Sequence, residues 1–186
     1  MEKINEHHLL KRCRDGDLKS YNTLYNRYKD RIYSISVRML GNIHDAEDAT
    51  QEIFIKIFKS IGEFRGDSAL FTWIYRITMN TCVEFLRKKE KYKKEDPLDE
   101  MEYRPELSYE TEDSGSFNRI VEQEIKKLPE GYRKVFILYA VEGFKHKEIT
   151  EILNISEGTS KSQYFRAKIQ LRKQLLPYLE VLKNEL

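Results

Sequence analysis

Three residues, Asn154-Ile155-Ser156, constrain this chain most. They separate a short helical stretch at 145–153 from a long basic one that starts at Glu157. Ser156 has the chemistry of an N-cap for the second helix. Two helices across so tight a break fit a helix-turn-helix, whose second helix suits a DNA major groove. From Ser156 to Leu175 the charges are Lys161, Arg166, Lys168, Arg172 and Lys173 against Glu157 alone. Five positive groups against one negative suit a phosphate-lined partner.

The rest of the chain also predicts helices. A long one runs from Asp17 or Lys19 to Leu40, with Leu18, Tyr21, Leu24, Tyr25, Tyr28, Ile32 and Ile35 on one stripe and Gly41 as its stop. A second spans 45–61, with Ala46, Ala49, Ile53, Ile57 and Ile61 inward and Gly62 at the C-cap. Ser68 is expected to cap a third over 69–93. The β-branched runs that strands need are missing, so the expected fold is all-α.

A net charge of +2 hides segregation: six positive and two negative residues over 84–94 run into nine negative residues and Arg104 over 95–113. That acidic stretch carries two prolines and no apolar period, so it reads as a flexible linker. Its 22 residues over 95–116 reach roughly 75 Å extended and about 25 Å as a coil. The expected organisation is therefore two small helical domains, 1–94 and 117–186, joined by an acidic linker. Domains so tethered could sit a couple of DNA turns apart, at about 34 Å per turn.

With no run of about 18 apolar residues and no signal-peptide pattern, no membrane insertion and a cytoplasmic location are expected. Cys13 and Cys82 are too few and too distant for a disulfide framework or zinc site. The four histidines lack metal-ligand spacing, and no phosphate-binding loop or nucleophile motif occurs. No catalytic residue, metal or cofactor is expected, and the chain does not read as an enzyme.

Two constellations remain. In the 45–61 helix, Asp48, Gln51 and Glu52 share an outward face with Ile55 nearby; such a face suits a protein partner better than DNA. Its first-turn carboxylates also complement the helix dipole. Next, Phe64, Arg65, Asp67 and Ser68 lead into a helix holding Phe71, Trp73, Tyr75, Arg76 and Asn80. Aromatics beside cations and polar groups form the surface on which single-stranded bases stack and flipped bases are read. Trp73, Ile74 and Ile77 equally suit a core. Arg87 and Lys88, farther along, are placed to grip phosphates.

The ordered set resembles an extracytoplasmic-function (ECF) sigma factor of the sigma-70 family. Asp45-Ala-Glu-Asp-Ala-Thr-Gln-Glu-Ile-Phe resembles the family's region 2.2, which implies that Asp48, Gln51 and Glu52 bind the β′ clamp helices of core RNA polymerase. Phe64-Arg-Gly-Asp-Ser and Thr72-Trp-Ile-Tyr-Arg-Ile, with Asn80, resemble regions 2.3 and 2.4. These imply −10 single-strand contacts at Phe64, Arg65, Asp67, Ser68, Trp73, Arg76, Asn80, Arg87 and Lys88. Leu128-Pro-Glu-Gly-Tyr-Arg-Lys-Val-Phe resembles region 4.1, and Gly158-Thr-Ser-Lys-Ser with Arg166-Ala-Lys resembles region 4.2. The match implies −35 duplex contacts at Thr159, Lys161, Ser162, Phe165, Arg166 and Lys168, docking on the β flap, and an anti-sigma partner. Three positions depart from the family pattern: Ser160 replaces a usual apolar residue, Gln163 a frequent Arg, and Thr150 a common Ala. Gln163 is left able to read adenine. The alternatives are an autonomous helix-turn-helix regulator and a pure protein-interaction module.

Overall fold

The computed structural model describes residues 6–95 and 116–184, and among these it is helical without strands. The linker expected over 95–116 lies, but for its ends, outside the described residues. The helices are α1 (Glu6–Arg14), α2 (Leu18–Leu40), α3 (Ile43–Ser60), α4 (Leu70–Glu95), α5 (Ser116–Lys126), α6 (Glu130–Phe136), α7 (His146–Leu153) and α8 (Glu157–Asn184). A 3-10 turn, Ile61–Glu63, follows α3, and a π-helical turn, Ile137–Val141, continues α6.

Local chemistry sets the helix ends. Asp17 caps α2, its carboxylate accepting from the Ser20 amide at 3.0 Å and the Ser20 hydroxyl at 2.5 Å. Gly41 ends α2 at φ 74°, where a side chain would be strained. Asn42 caps α3, accepting from the Asp45 amide at 2.9 Å. That cap starts α3 two residues earlier than the apolar stripe suggests. Gly62 lies inside the 3-10 turn rather than at a C-cap, because the chain tightens at Ile61. The Ala69 carbonyl accepts the Trp73 amide, so Ala69, not Ser68, holds the cap position of α4.

The Ser20 hydroxyl, foremost, holds the Asp17 carboxyl below its usual range, with Arg12 assisting at 2.8 Å. A depressed folded value means that this cap stabilises the fold above the ordinary carboxylate range and is lost as pH falls through the lowered value. Asp17→Ala is therefore expected to lower the melting temperature at pH 7, with the deficit shrinking in melts taken below about pH 4.

In the N-terminal bundle, α2, α3 and α4 pack on one another around Leu24, Ile32, Ile35, Ile53, Ile57 and Ile74, all fully buried. Leu18 and Tyr25, expected on the inner stripe of α2, are 80% and 40% exposed. At roughly 100° per residue they fall at the edge of the stripe that Tyr28 and Ile35 centre. Short α1, which the apolar periodicity does not reveal, lays Leu9, Leu10 and Cys13 onto this core. Cys82 is also buried, and burial pushes its thiol up to about 12. The C-terminal helices gather around Leu128, Val135, Leu138, Ile149, Ile152 and Ala167, and the two cores are continuous. Among the described residues, no helix is long and apolar enough to cross a membrane.

Candidate protein and nucleic-acid interfaces

The outward face of α3 is built as the sequence suggests, with one difference. Asp48 and Gln51 are exposed, and Ile55 beside them is 51% exposed. Glu52 is half-buried because Lys56 holds it at 3.0 Å while reaching Glu84 on α4 at 2.6 Å and the Thr81 hydroxyl at 3.2 Å. Burial works against the Lys56 charge, but its bonds to Glu84 and Glu52 outweigh that and hold it charged. One lysine thus fixes Glu52 relative to α4.

The second constellation is divided. Phe64 is 7% exposed and packs its ring 5.2 Å from Trp73, so it supports that indole instead of offering a free face. The 3-10 turn forces this by folding the chain back onto α1, whose Arg14 donates to the Phe64 carbonyl. Arg65 and Asp67 are exposed, and Ser68 and Trp73 half-buried. Arg76, Asn80 and Arg87 are exposed at i, i+4 and i+11, which places them on one stripe of α4, with Lys88 exposed beside it. Ile74 is core, fully buried.

In the helix-turn-helix, Asn154 turns the chain at φ 53°. Ser156 Oγ then accepts the Thr159 amide at 3.0 Å, which makes it the N-cap of α8. Thr159 is half-buried with its hydroxyl 2.8 Å from Ser156 Oγ, so it completes the cap and does not reach outward. Lys161, Ser162, Phe165, Arg166 and Lys168 are exposed, Phe165 at 64%. Each polar one is preset: Lys161 pairs with Glu157 at 2.6 Å, Ser162 donates to the Thr159 carbonyl, and Arg166 reaches the Tyr132 hydroxyl at 3.3 Å. Lys168 lies 5.6 Å from the centre of the Tyr164 ring. Gln163 faces inward: its amide lies so close over Gly131 that an added Cβ there would stand 3.0 Å away. An adenine contact from that side chain is therefore not prepared. Thr150 bonds the Lys147 carbonyl within its own helix.

One arrangement has no sequence signal. The C-terminal helices close onto the N-terminal bundle along a seam. Arg76 Nε and Nη2 donate to the Glu151 carbonyl at 3.1 and 2.5 Å, 75 positions away. Phe144 stacks on Phe71 at 5.8 Å and meets Tyr75 edge-on at 4.9 Å. Gly143, at φ 77°, lets the chain turn after the π-helical segment, and the Phe144 amide bonds back to the Leu138 carbonyl. At the far end Lys126 donates to the Gly41 carbonyl and Arg133 to the Met39 carbonyl, so two cations cap the C-terminus of α2. Arg133 Nε is buried in this seam without a hydrogen-bond partner. The Tyr75 hydroxyl, also buried there, is met by Arg31 beside an open cleft of about 400 Å³.

Comparison with known proteins agrees with both halves. Residues 24–92 match the model of sigma-70 region 2, and residues 118–171 that of sigma-70 region 4. The chain is 35% identical to the ECF RNA polymerase sigma factor SigW of Bacillus subtilis, over 89% of this chain and 94% of that relative. It is 31% identical to the ECF RNA polymerase sigma-E factor of Haemophilus influenzae, over 96% and 99%. Among solved structures it is similar in fold to the sigma factor RpoE in complex with the anti-sigma factor NepR from Bartonella quintana. That TM-score is 0.70 at 21% identity, over 85% of this chain and 98% of that one. CnrH in complex with the cytosolic domain of CnrY gives a TM-score of 0.68 at 20% identity, over 90% and 94%. With coverage nearly end to end and both domain models in order, the chain belongs to the ECF RNA polymerase sigma factors of the sigma-70 family.

Proposed function

We propose that the chain docks on core RNA polymerase through α3, reads a −35 duplex through α8 and holds the opened −10 strand along α4. The observation that carries this reading is the separation of two unlike surfaces on one chain. The α3 face is acidic with an apolar member, which DNA repels and a protein helix accepts. The α8 face offers Lys161, Arg166 and Lys168 around exposed Phe165, which suits a phosphate-flanked groove. Asp48, Gln51 and Glu52 would contact the β′ clamp helices, and residues 117–186 would dock at the β flap. Along α4, Trp73 offers a half-exposed indole and Arg76, Asn80 and Arg87 a polar stripe. Unstacking costs a few kcal/mol per base step, which stacking and phosphate contacts offset in part.

An autonomous helix-turn-helix regulator accounts for α8 but leaves the α3 face without a partner. Of the two solved complexes of similar fold, one holds the anti-sigma factor NepR and the other the cytosolic domain of CnrY, and we assign this chain an anti-sigma partner on that likeness. Transcription reconstituted with core RNA polymerase on a pool of genomic fragments tests the reading. Discrete new start sites that need the added protein support it. Core polymerase that initiates identically with and without the protein sinks it.

A further inference from the structure

Ser160 is fully buried where a hydroxyl needs a partner, and that partner is His146, whose Nδ1 lies 2.9 Å from Ser160 Oγ. His146 opens α7, and Ser160 sits one turn into α8, so this bond ties the start of one helix of the helix-turn-helix to the start of the other. The imidazole does not float there. It stacks on Tyr139 at 4.3 Å, and Tyr139 in turn rests against Tyr164 at 4.4 Å. Tyr139 belongs to the π-helical turn and presents its ring to His146 of α7. Burial, then the Lys161 charge, hold His146 below its usual range, so the ring is neutral at pH 7, and either tautomer satisfies the hydroxyl. Ser160 and Tyr164, at i and i+4, form the inner edge of α8. Each is followed by an exposed residue, Lys161 and Phe165, rotated about 100° outward.

We propose that His146 and Ser160 are a positioning pair that fixes the rotation of α8, and hence which side chains meet the −35 bases. An apolar contact at this joint would tolerate some rotation, because burial is non-directional. A hydrogen bond weakens steeply once its angle is lost. The inference rests on α8 being the −35 reader.

The test uses the full chain loaded on core RNA polymerase, with a pool of promoter-length duplexes randomised across the upstream element. The best selected duplex and a scrambled one are then titrated against wild type, Ser160→Ala, His146→Ala, His146→Asn and the double alanine variant. Wild type is expected to select one upstream sequence. Each single alanine change should lower the selected-to-scrambled affinity ratio about five- to tenfold, with the double variant no worse than either. His146→Asn keeps a polar atom near the Nδ1 position and should restore most of the ratio, while binding to scrambled duplex and helical content stay unchanged. Variants that keep the wild-type ratio, or lose both affinities together with helicity, overturn the pair. A wild type with no sequence preference overturns the reading of α8 and the pair with it.

Discussion

Replacing Phe144 with alanine is expected to open the seam between the two halves without unfolding either. The ring bridges them, set between Phe71 and Tyr75 of α4. Losing it removes about 2 kcal/mol of burial, which moves a closed-to-open ratio roughly thirtyfold. The seam has little to spare. Closing it leaves Arg133 Nε buried without a partner, which is a cost. Other clasps cross it as well: Arg76 on the Glu151 carbonyl, Lys126 on the Gly41 carbonyl, Arg133 on the Met39 carbonyl and the Arg38–Glu122 ion pair at 3.7 Å. The consequence for function is direct. Arg76 is one of the residues assigned to the −10 strand, and in the closed form its guanidinium is already engaged. Fluorescence energy transfer between dyes on α3 and α8 should show a longer, broader separation in Phe144→Ala. Single-stranded oligonucleotide binding should tighten several-fold as Arg76 is released. Unchanged energy transfer would mean that the α2 clasp alone holds the halves together.

Ile53 and Ile55 should behave as opposites although they are two residues apart on α3. Ile53 is fully buried between α2 and α4, and Ile53→Ala is expected to cost 2–5 kcal/mol, order-of-magnitude for a cavity of that size. For a small helical bundle that is a large part of its stability, and the melting temperature should fall by more than about 10 °C. Ile55 is 51% exposed on the face shared with Asp48 and Gln51. Ile55→Ala should leave the melt unchanged within about 0.5 kcal/mol and weaken capture of core polymerase. Equal melting temperatures for the two variants would show that the packing of α3 is wrongly assigned. A loss of stability in Ile55→Ala would point to a structural role for that face.

Much of this architecture is legible in the chain because helix signals are local. Asp17 and Ser156, placed at helix starts by the sequence, cap through bonds to residues three positions on, while the same bond from Asn42 starts α3 ahead of its apolar stripe. The α3 stripe from Ala46 to Ile61 is buried throughout, as its spacing requires. Short α1 escapes because nine residues dense in charge carry too little period to register. The candidate surfaces are legible as segments but not as availability. Arg76 is held by a partner that sequence cannot name, the Glu151 carbonyl on another domain, and the pair of Glu52 with Lys56 follows helical spacing while the reach of Lys56 on to Glu84 does not. Phe64 and Thr159 look like contact residues by composition, yet one supports Trp73 and the other completes a helix cap. Ser160 reads as a departure from an apolar pattern until His146 is found beside it. The contacts of Phe64, Arg76 and Ser160 are tertiary, and nothing in local spacing encodes them, whereas Thr159 is held within its own helix turn.

The most direct test of the account is capture of core RNA polymerase by the immobilised protein, comparing wild type with Gln51→Ala/Glu52→Ala. Both side chains lie outside the buried core, Gln51 exposed and Glu52 half-buried and paired with Lys56. Wild type is expected to retain core polymerase, and the double variant to lose it while keeping its melting temperature and its affinity for duplex DNA. Retention of polymerase by the variant at wild-type strength, or failure of wild type to bind polymerase while still binding duplex, would contradict the account.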